Sequence, residues 1–180
     1  MKKLMTLAAL FVMALYANAQ LTITPQVGAT LASITDDDDA KYKVGLVAGA
    51  NVAYPLTDAF SLSAGLLYTM QGLHSDYLDK NMNSDYLNIP ILAQYRIVGG
   101  LSVKAGVQPG FLLSAKLDGH SVKDSYEKFD IAIPLGLAYE ISDFVIDARY
   151  NWGMKKIGKG GYSDAKNSVF MLTLGYKIPL

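Results

Sequence analysis

The sequence predicts an all-β fold: an eight-stranded antiparallel up-and-down transmembrane β-barrel preceded by a cleaved signal peptide. Three observations carry that expectation. From Lys43 to Ile178, seven successive segments place a large apolar residue at every second position, with small or polar residues between. The connections between segments alternate short and long. Aromatic residues on the apolar parity gather at both ends of the segments.

The alternation is clearest at Phe60, Leu62, Ala64, Leu66, Tyr68 and Met70 against Ser61, Ser63, Gly65, Leu67, Thr69 and Gln71. A half-buried strand of a soluble protein also alternates, but its solvent face carries bulky charge. Here the second face is too small to coat a surface. Glycine, serine, alanine and a few charges suit the inside of a narrow closed barrel, and leucine, isoleucine and aromatics suit lipid.

Residues 1–19 read as a signal peptide. Lys2 and Lys3 form a positive start, Leu4 to Tyr16 an apolar stretch too short to span a bilayer, and Ala17-Asn18-Ala19 a cleavage site. Residues 20–180 then form one barrel domain, beginning at Gln20. The chain has no cysteine, which excludes lipoprotein anchoring, disulfides and thiolate metal sites. Without the two signal lysines, 14 basic side chains stand against 16 acidic ones. So small a net charge argues against nucleic-acid binding, which needs a basic surface. No later apolar run reaches the roughly 18 residues of a membrane helix, so strands must do the spanning.

Eight segments follow: Leu21–Ala32, Tyr42–Tyr54, Phe60–Gly72, Tyr86–Ile97, Leu101–Lys116, Phe129–Ile141, Phe144–Met154 and Val169–Ile178. Three connections are tight, at Pro55–Ala59, Val98-Gly99-Gly100 and Ser142-Asp143. Four are longer and polar, at Ser33–Lys41, Leu73–Asp85, Leu117–Lys128 and Lys155–Ser168. In bacterial outer-membrane barrels the short turns are periplasmic, which places both termini there too. A two-residue turn at Ser142-Asp143 sets Ile141 opposite Phe144, Leu137 opposite Ala148, Ile133 opposite Trp152 and Gly136 opposite Arg149. A three-residue turn at Val98-Gly99-Gly100 sets Ile97 opposite Leu101, Tyr95 opposite Val103 and Gln94 opposite Lys104. Either turn slipped by one residue would drive charges into lipid.

Tyr54, Phe60, Tyr95, Tyr139, Phe144 and Tyr176 stand next to the short turns on the lipid-facing parity, and Tyr68, Phe129, Trp152 and Phe170 toward the long loops. Tilted strands rising ~3.3 Å per residue separate such pairs by roughly 20–25 Å, the height of the apolar band. Pro90, Pro109 and Pro134 run against the pattern, because each removes a ladder donor inside an expected strand.

Tyr86-Leu87-Asn88-Ile89-Pro90, Val103-Lys104-Ala105-Gly106-Val107-Gln108-Pro109-Gly110, Asp147-Ala148-Arg149-Tyr150 and Leu172-Thr173-Leu174-Gly175-Tyr176-Lys177-Ile178 resemble the PorT-type outer-membrane β-barrel family of Gram-negative bacteria. The resemblance spans most of residues 20–180 and takes in two of the prolines. It implies an eight-stranded outer-membrane barrel and allows a link to an export apparatus. The chain departs from the common barrel-assembly signal, which ends in phenylalanine, by ending Ile178-Pro179-Leu180.

Lys43, Gln94, Arg96, Lys104, Asp130, Glu140, Asp147, Arg149 and Lys177 fall on the inward parity. Eight strands leave an interior that side chains nearly fill, so these charges are expected to pair and hold the barrel shut. Asp36-Asp37-Asp38-Asp39 lacks calcium-loop spacing and reads as a solvated loop tip, with divalent bridging to lipopolysaccharide phosphates as the functional alternative. His74 with Ser75 or Asp76, and His120 with Asp118 or Ser121, lie in different long loops and offer too few ligands for zinc. Gly158, Gly160 and Gly161 have no strand-to-helix context for a phosphate cradle.

The expectation is therefore a non-enzymatic barrel with a structural or interaction role, and without catalytic, cofactor-binding or metal residues. Its partners are outer-membrane lipid and lipopolysaccharide, the barrel-assembly machinery during insertion, and a protein met through the extracellular loops. The competing readings are a small outer-membrane enzyme using His74 or His120, and a soluble lipocalin-like periplasmic barrel with its apolar residues turned inward.

Overall fold

In a computed structural model, the described residues are 21–34, 40–75, 80–117, 120–123, 126–156 and 166–180. The expected signal peptide, the Asp36–Asp39 run, Asp76, Asp118 and the glycines at 158, 160 and 161 lie outside them. The strands are β1 (Thr22–Ile34), β2 (Ala40–Pro55), β3 (Phe60–Ser75), β4 in two pieces (Lys80–Asn88 and Ile91–Val98), β5 (Leu101–Leu117), β6 (Phe129–Ile141), β7 (Phe144–Lys156) and β8 (Lys166–Tyr176). Each pairs antiparallel with its sequence neighbours. β8 returns to β1 from Gln26↔Gly175 to Ile34↔Asn167, so the sheet closes into an eight-stranded barrel without an edge. Ile178–Pro179 extends that seam against Thr22–Ile23, and Leu180 N–H donates to Leu21 C=O at 2.8 Å. Both described chain ends therefore meet at the end of the barrel that carries the short turns.

The apolar parity points outward. Leu62 is 43% exposed, Leu66 53%, Ile133 38% and Leu137 51%, while Ser63, Leu67, Thr69 and Gln71 between such positions are buried. Free of the protein core, these side chains are satisfied only by an apolar surrounding. The soluble alternative required them to converge on the lumen, and they do the reverse. The outward aromatics collect at both ends. Phe144 and Tyr176 meet edge-on at 5.2 Å beside the short turns, and Phe111 and Phe129 at 5.5 Å toward the long loops.

The hairpin at Ser142-Asp143 has the expected register, with Ile141↔Phe144, Leu137↔Ala148, Ile133↔Trp152 and Gly136↔Arg149. Ser142 takes φ 55°, the left-handed conformation that such a turn asks of its first residue. At the β4–β5 turn, Tyr95↔Val103 and Gln94↔Lys104 hold, but Val98, not Ile97, pairs with Leu101. Ile97 is the extra residue of a bulge, and Gly99 supplies the positive φ of 54° that lets two residues close the turn.

Strands also run further than the alternation suggested. β4 begins at Lys80 rather than Tyr86, and β3 continues to Ser75. Polar residues such as Asn81, Asn83 and Ser84 pair along this extension, which therefore lacks the apolar outer parity used to draw the segments.

The prolines are absorbed without a change of register. β4 is interrupted at Ile89-Pro90, yet Leu67↔Asn88 and Ala64↔Ile91 on either side keep step. Across the gap, Gly65 N–H donates to Pro90 C=O at 2.9 Å and Ile89 N–H to Pro109 C=O at 2.8 Å. Since N–H and C=O of one strand residue face the same neighbour, Pro90 and Pro109 each forfeit one bond of a two-bond pair and keep the other. Pro134 stands opposite Asn151 with its ring fully buried in the lumen.

Candidate functional site: the barrel lumen and its two mouths

Inward positions on β4 to β8 bring most of the expected charges together in two tiers. At the short-turn end, Glu140 accepts from Lys177 Nζ at 2.9 Å, lies 3.6 Å from Arg96 and receives Gln94 Nε2 at 3.5 Å. Deeper, Asp147 accepts from Lys104 Nζ at 2.6 Å and from Arg149 at 3.1 Å. Arg149 is 0% exposed and Asp147 2%, so this triad is held inside protein. Gly136 sits between Lys104 and Arg149 in the register, and a Cβ there would meet Ala148 C=O at 2.7 Å and Arg149 Cγ at 3.1 Å. The missing side chain is what makes room for the guanidinium.

Nearer the long loops, Asp130 accepts from Asn167 Nδ2 at 2.7 Å, and the space left between Gln71, Gln108, Asp130 and Asn151 is about 10 Å³. Tyr86, Leu112 and Ala115 then close the lumen, with Val122 and Tyr126 packed over them from the segment after β5. Val122 N–H donates to Ala115 C=O at 2.9 Å, which folds that segment inward. Tyr126 lies outside the spanning strands, and burial pushes its phenol above its ordinary value. A second apolar contact, Val47 with Leu67 and Met171, fills the middle of the barrel.

One expectation needs a finer placement and another a correction. Lys43 stands opposite the buried Ala32 in the β1–β2 register, toward the long loops. It lies in β2 at the bulge between Tyr42 and Val47, and its Nζ donates to Asn83 Oδ1 on β4, near Asp85. Asp85 is bonded by Tyr68, itself 40% exposed on the outer face, so this cluster belongs to the rim. The interior is not made only of tiny and charged groups, since Leu67, Leu92 and Met171 are among its most deeply buried side chains. Leu67 shares the small and polar parity of β3 in the alternation, which is the inward one.

The histidine-bearing strands are set apart. Pairing runs from His74 to Asn81, from the adjacent Met82 to Leu117, and from Leu117 to His120. The two backbones are thus three strand spacings apart, ~14 Å, beyond hydrogen-bond reach of one another. Among the described residues no group of three or more His, Cys, Asp or Glu could hold a metal ion.

The outer membrane protein beta-barrel domain family matches residues 14–158. The chain belongs to that family. It is a small β-barrel protein of the outer membrane. Sequence comparison with curated proteins gives no match. Among solved structures, the chain is similar to Ail, the attachment invasion locus protein of Yersinia pestis, in complex with the heparin analogue sucrose octasulfate. That similarity has TM-score 0.59 and 20% identity, covering 88% of this chain and 99% of Ail. The Yersinia pestis Ail structure in a phospholipid bilayer nanodisc gives TM-score 0.54 at 19% identity, over 89% of this chain and 100% of that one. Neisserial surface protein A gives TM-score 0.56 at 14% identity, covering 91% and 99%. At these identities the likeness concerns the fold.

Proposed function

We propose that this barrel is a non-enzymatic outer-membrane protein with a structural or interaction role, and that its contact surface is the rim of long loops facing out of the cell. Residues 1–19 would direct export, and both termini would be periplasmic, beside the short turns. The observation that carries the reading is the filled lumen. Arg149, Asp147 and Lys104 cross-link β5 and β7 at its centre, and Tyr86, Leu112 and Ala115 cap it under Val122 and Tyr126. A barrel so occupied serves poorly as a pore. The spacing of the histidine-bearing strands supports this reading over catalysis, which needs a base held against a nucleophile.

What remains for interaction is the rim. There Lys116 and Lys128 are exposed, and Lys155 bonds Glu127 at 3.0 Å while lying 5.7 Å from the Phe129 ring centre. Lipopolysaccharide phosphates are a chemically apt neighbour for these ammonium groups. A protein partner in export is the further option raised by the PorT resemblance. The test of the central reading is planar-bilayer recording on the purified monomer. The expected result is no stable conductance, and a large steady current would overturn the reading. Substituting His74 and His120 in a lipid-remodelling assay separates it from the enzymatic alternative, which alone predicts an activity to lose.

A further inference from the structure

Each carboxylate of the short-turn half of the lumen is shared between two cations, Glu140 by Lys177 and Arg96, Asp147 by Lys104 and Arg149. Four cations therefore face two carboxylates. The other acids lining this end, Asp58 and Asp143, sit at the outer mouth, where both are exposed. The lumen below the mouth thus holds a surplus of cations, with Arg96 and Lys177 reaching from the chamber to the mouth.

Between the two tiers lies a chamber of about 120 Å³, lined among others by Gln26, Gln94, Arg96, Lys104, Glu140 and Lys177. It shares Gln94, Arg96 and Lys177 with a mouth of about 770 Å³ that opens at the short-turn end. Gln26 is 7% exposed. Its Oε1 accepts from Thr173 Oγ1 at 3.4 Å, while its Nε2 has no hydrogen-bond partner among the described residues. Asn51, also 7% exposed, lines the same chamber, and its Oδ1 is an acceptor without a partner. A buried donor left unmet is costly, and a surplus of cations in a narrow low-dielectric cavity draws in an anion.

We propose that this chamber is a binding site for a small oxyanion of the hydrogenphosphate class, entering from the short-turn mouth. Arg96, Lys104 and Lys177 supply the charge, and Gln26 Nε2 donates at the inner wall. Asn51 Oδ1 accepts the proton that hydrogenphosphate carries and sulfate lacks. The site is a dead end, so it binds without conducting, and the conductance test above leaves it untouched.

The test is titration of the full refolded barrel, in a detergent free of phosphate groups, with inorganic phosphate followed by calorimetry and phosphorus NMR. Saturable one-to-one binding is expected, weaker for sulfate. Gln26→Leu should weaken phosphate binding by about tenfold or more, because it removes a donor to a charged group. Heat-modifiable migration checks that the variant is folded, and Arg96→Gln at the more exposed mouth is the second variant. Asp58→Asn should bind at least as tightly as the parent. Lack of saturable phosphate binding, or parental affinity in both Gln26→Leu and Arg96→Gln, would overturn the site. Equal affinity for sulfate would overturn the role given to Asn51.

Discussion

Replacing Asp147 by asparagine removes the one negative charge that Lys104 and Arg149 share, and leaves the size of the side chain unchanged. Arg149 is 0% exposed and Lys104 9%, so both cations are left largely without water when their partner goes. Breaking a buried ion pair from one side costs about 3–5 kcal/mol. Two features place the expected loss near the lower figure. The asparagine oxygen still accepts one hydrogen bond, and Lys104 lines the chamber that opens to the short-turn mouth. With a urea dependence of about 2 kcal/mol per molar, a loss of ~3 kcal/mol lowers the unfolding midpoint by about 1.5 M. The assay is reversible urea unfolding in lipid vesicles, followed by the fluorescence of Trp152, the chain's single tryptophan. The combined variant Lys104→Met, Asp147→Leu and Arg149→Met removes the charges together and should return stability to within ~1 kcal/mol of the parent, or above it. The reasoning fails if Asp147→Asn shifts stability by less than ~1 kcal/mol, or if the triple variant is as unstable as the single one.

Other substitutions probe the frame around that triad. Gly136→Val puts a branched side chain where Ala148 C=O and the Arg149 stem already lie, and overpacking of this kind should cost about 1–3 kcal/mol in the same titration. Ser142→Gly relieves a left-handed φ of 55° in the β6–β7 turn and should raise stability by up to ~1 kcal/mol. Leu66→Arg on the outer face should cost about 2–4 kcal/mol in a bilayer, where a soluble protein would tolerate an exposed arginine. The detergent-extracted protein should run as a compact band unboiled and as a slower one after boiling. Extraction by salt alone, with no such shift, would count against membrane insertion.

Alternation with a period of two was legible because lipid imposes it residue by residue. Phe60 to Met70 could be assigned to faces from sequence, and Leu62 and Leu66 do point outward. The Ser142-Asp143 register was equally readable, since a two-residue turn leaves one pairing that keeps Arg149 out of lipid. Features that depend on a single backbone deviation were not. The bulge at Ile97 moved Val98 opposite Leu101, and the β2–β3 ladder breaks step between Tyr42 and Val47, because one extra residue shifts pairing locally without changing composition. Polar extensions such as Lys80–Asn88 stand where no apolar outer face marks a strand. Of the luminal site, the Asp147–Arg149 neighbourhood follows from their spacing on one strand. The partnership with Lys104 crosses β6, and the closure by Tyr86, Leu112 and Tyr126 joins distant segments, so only the folded chain displays them.

The outer parity meets either lipid or water, and the lack of cysteine in the sequence allows a direct measurement of which. Single cysteines placed in turn along β3 from Leu62 to Thr69, each carrying a nitroxide label in lipid vesicles, report collision with oxygen dissolved in the bilayer. Labels at Leu62, Ala64, Leu66 and Tyr68 should collide freely with oxygen, and those at Ser63, Gly65, Leu67 and Thr69 should be shielded. The opposite phase, or strong collision of the first set with a water-soluble nickel chelate instead, would contradict a lipid-facing outer parity.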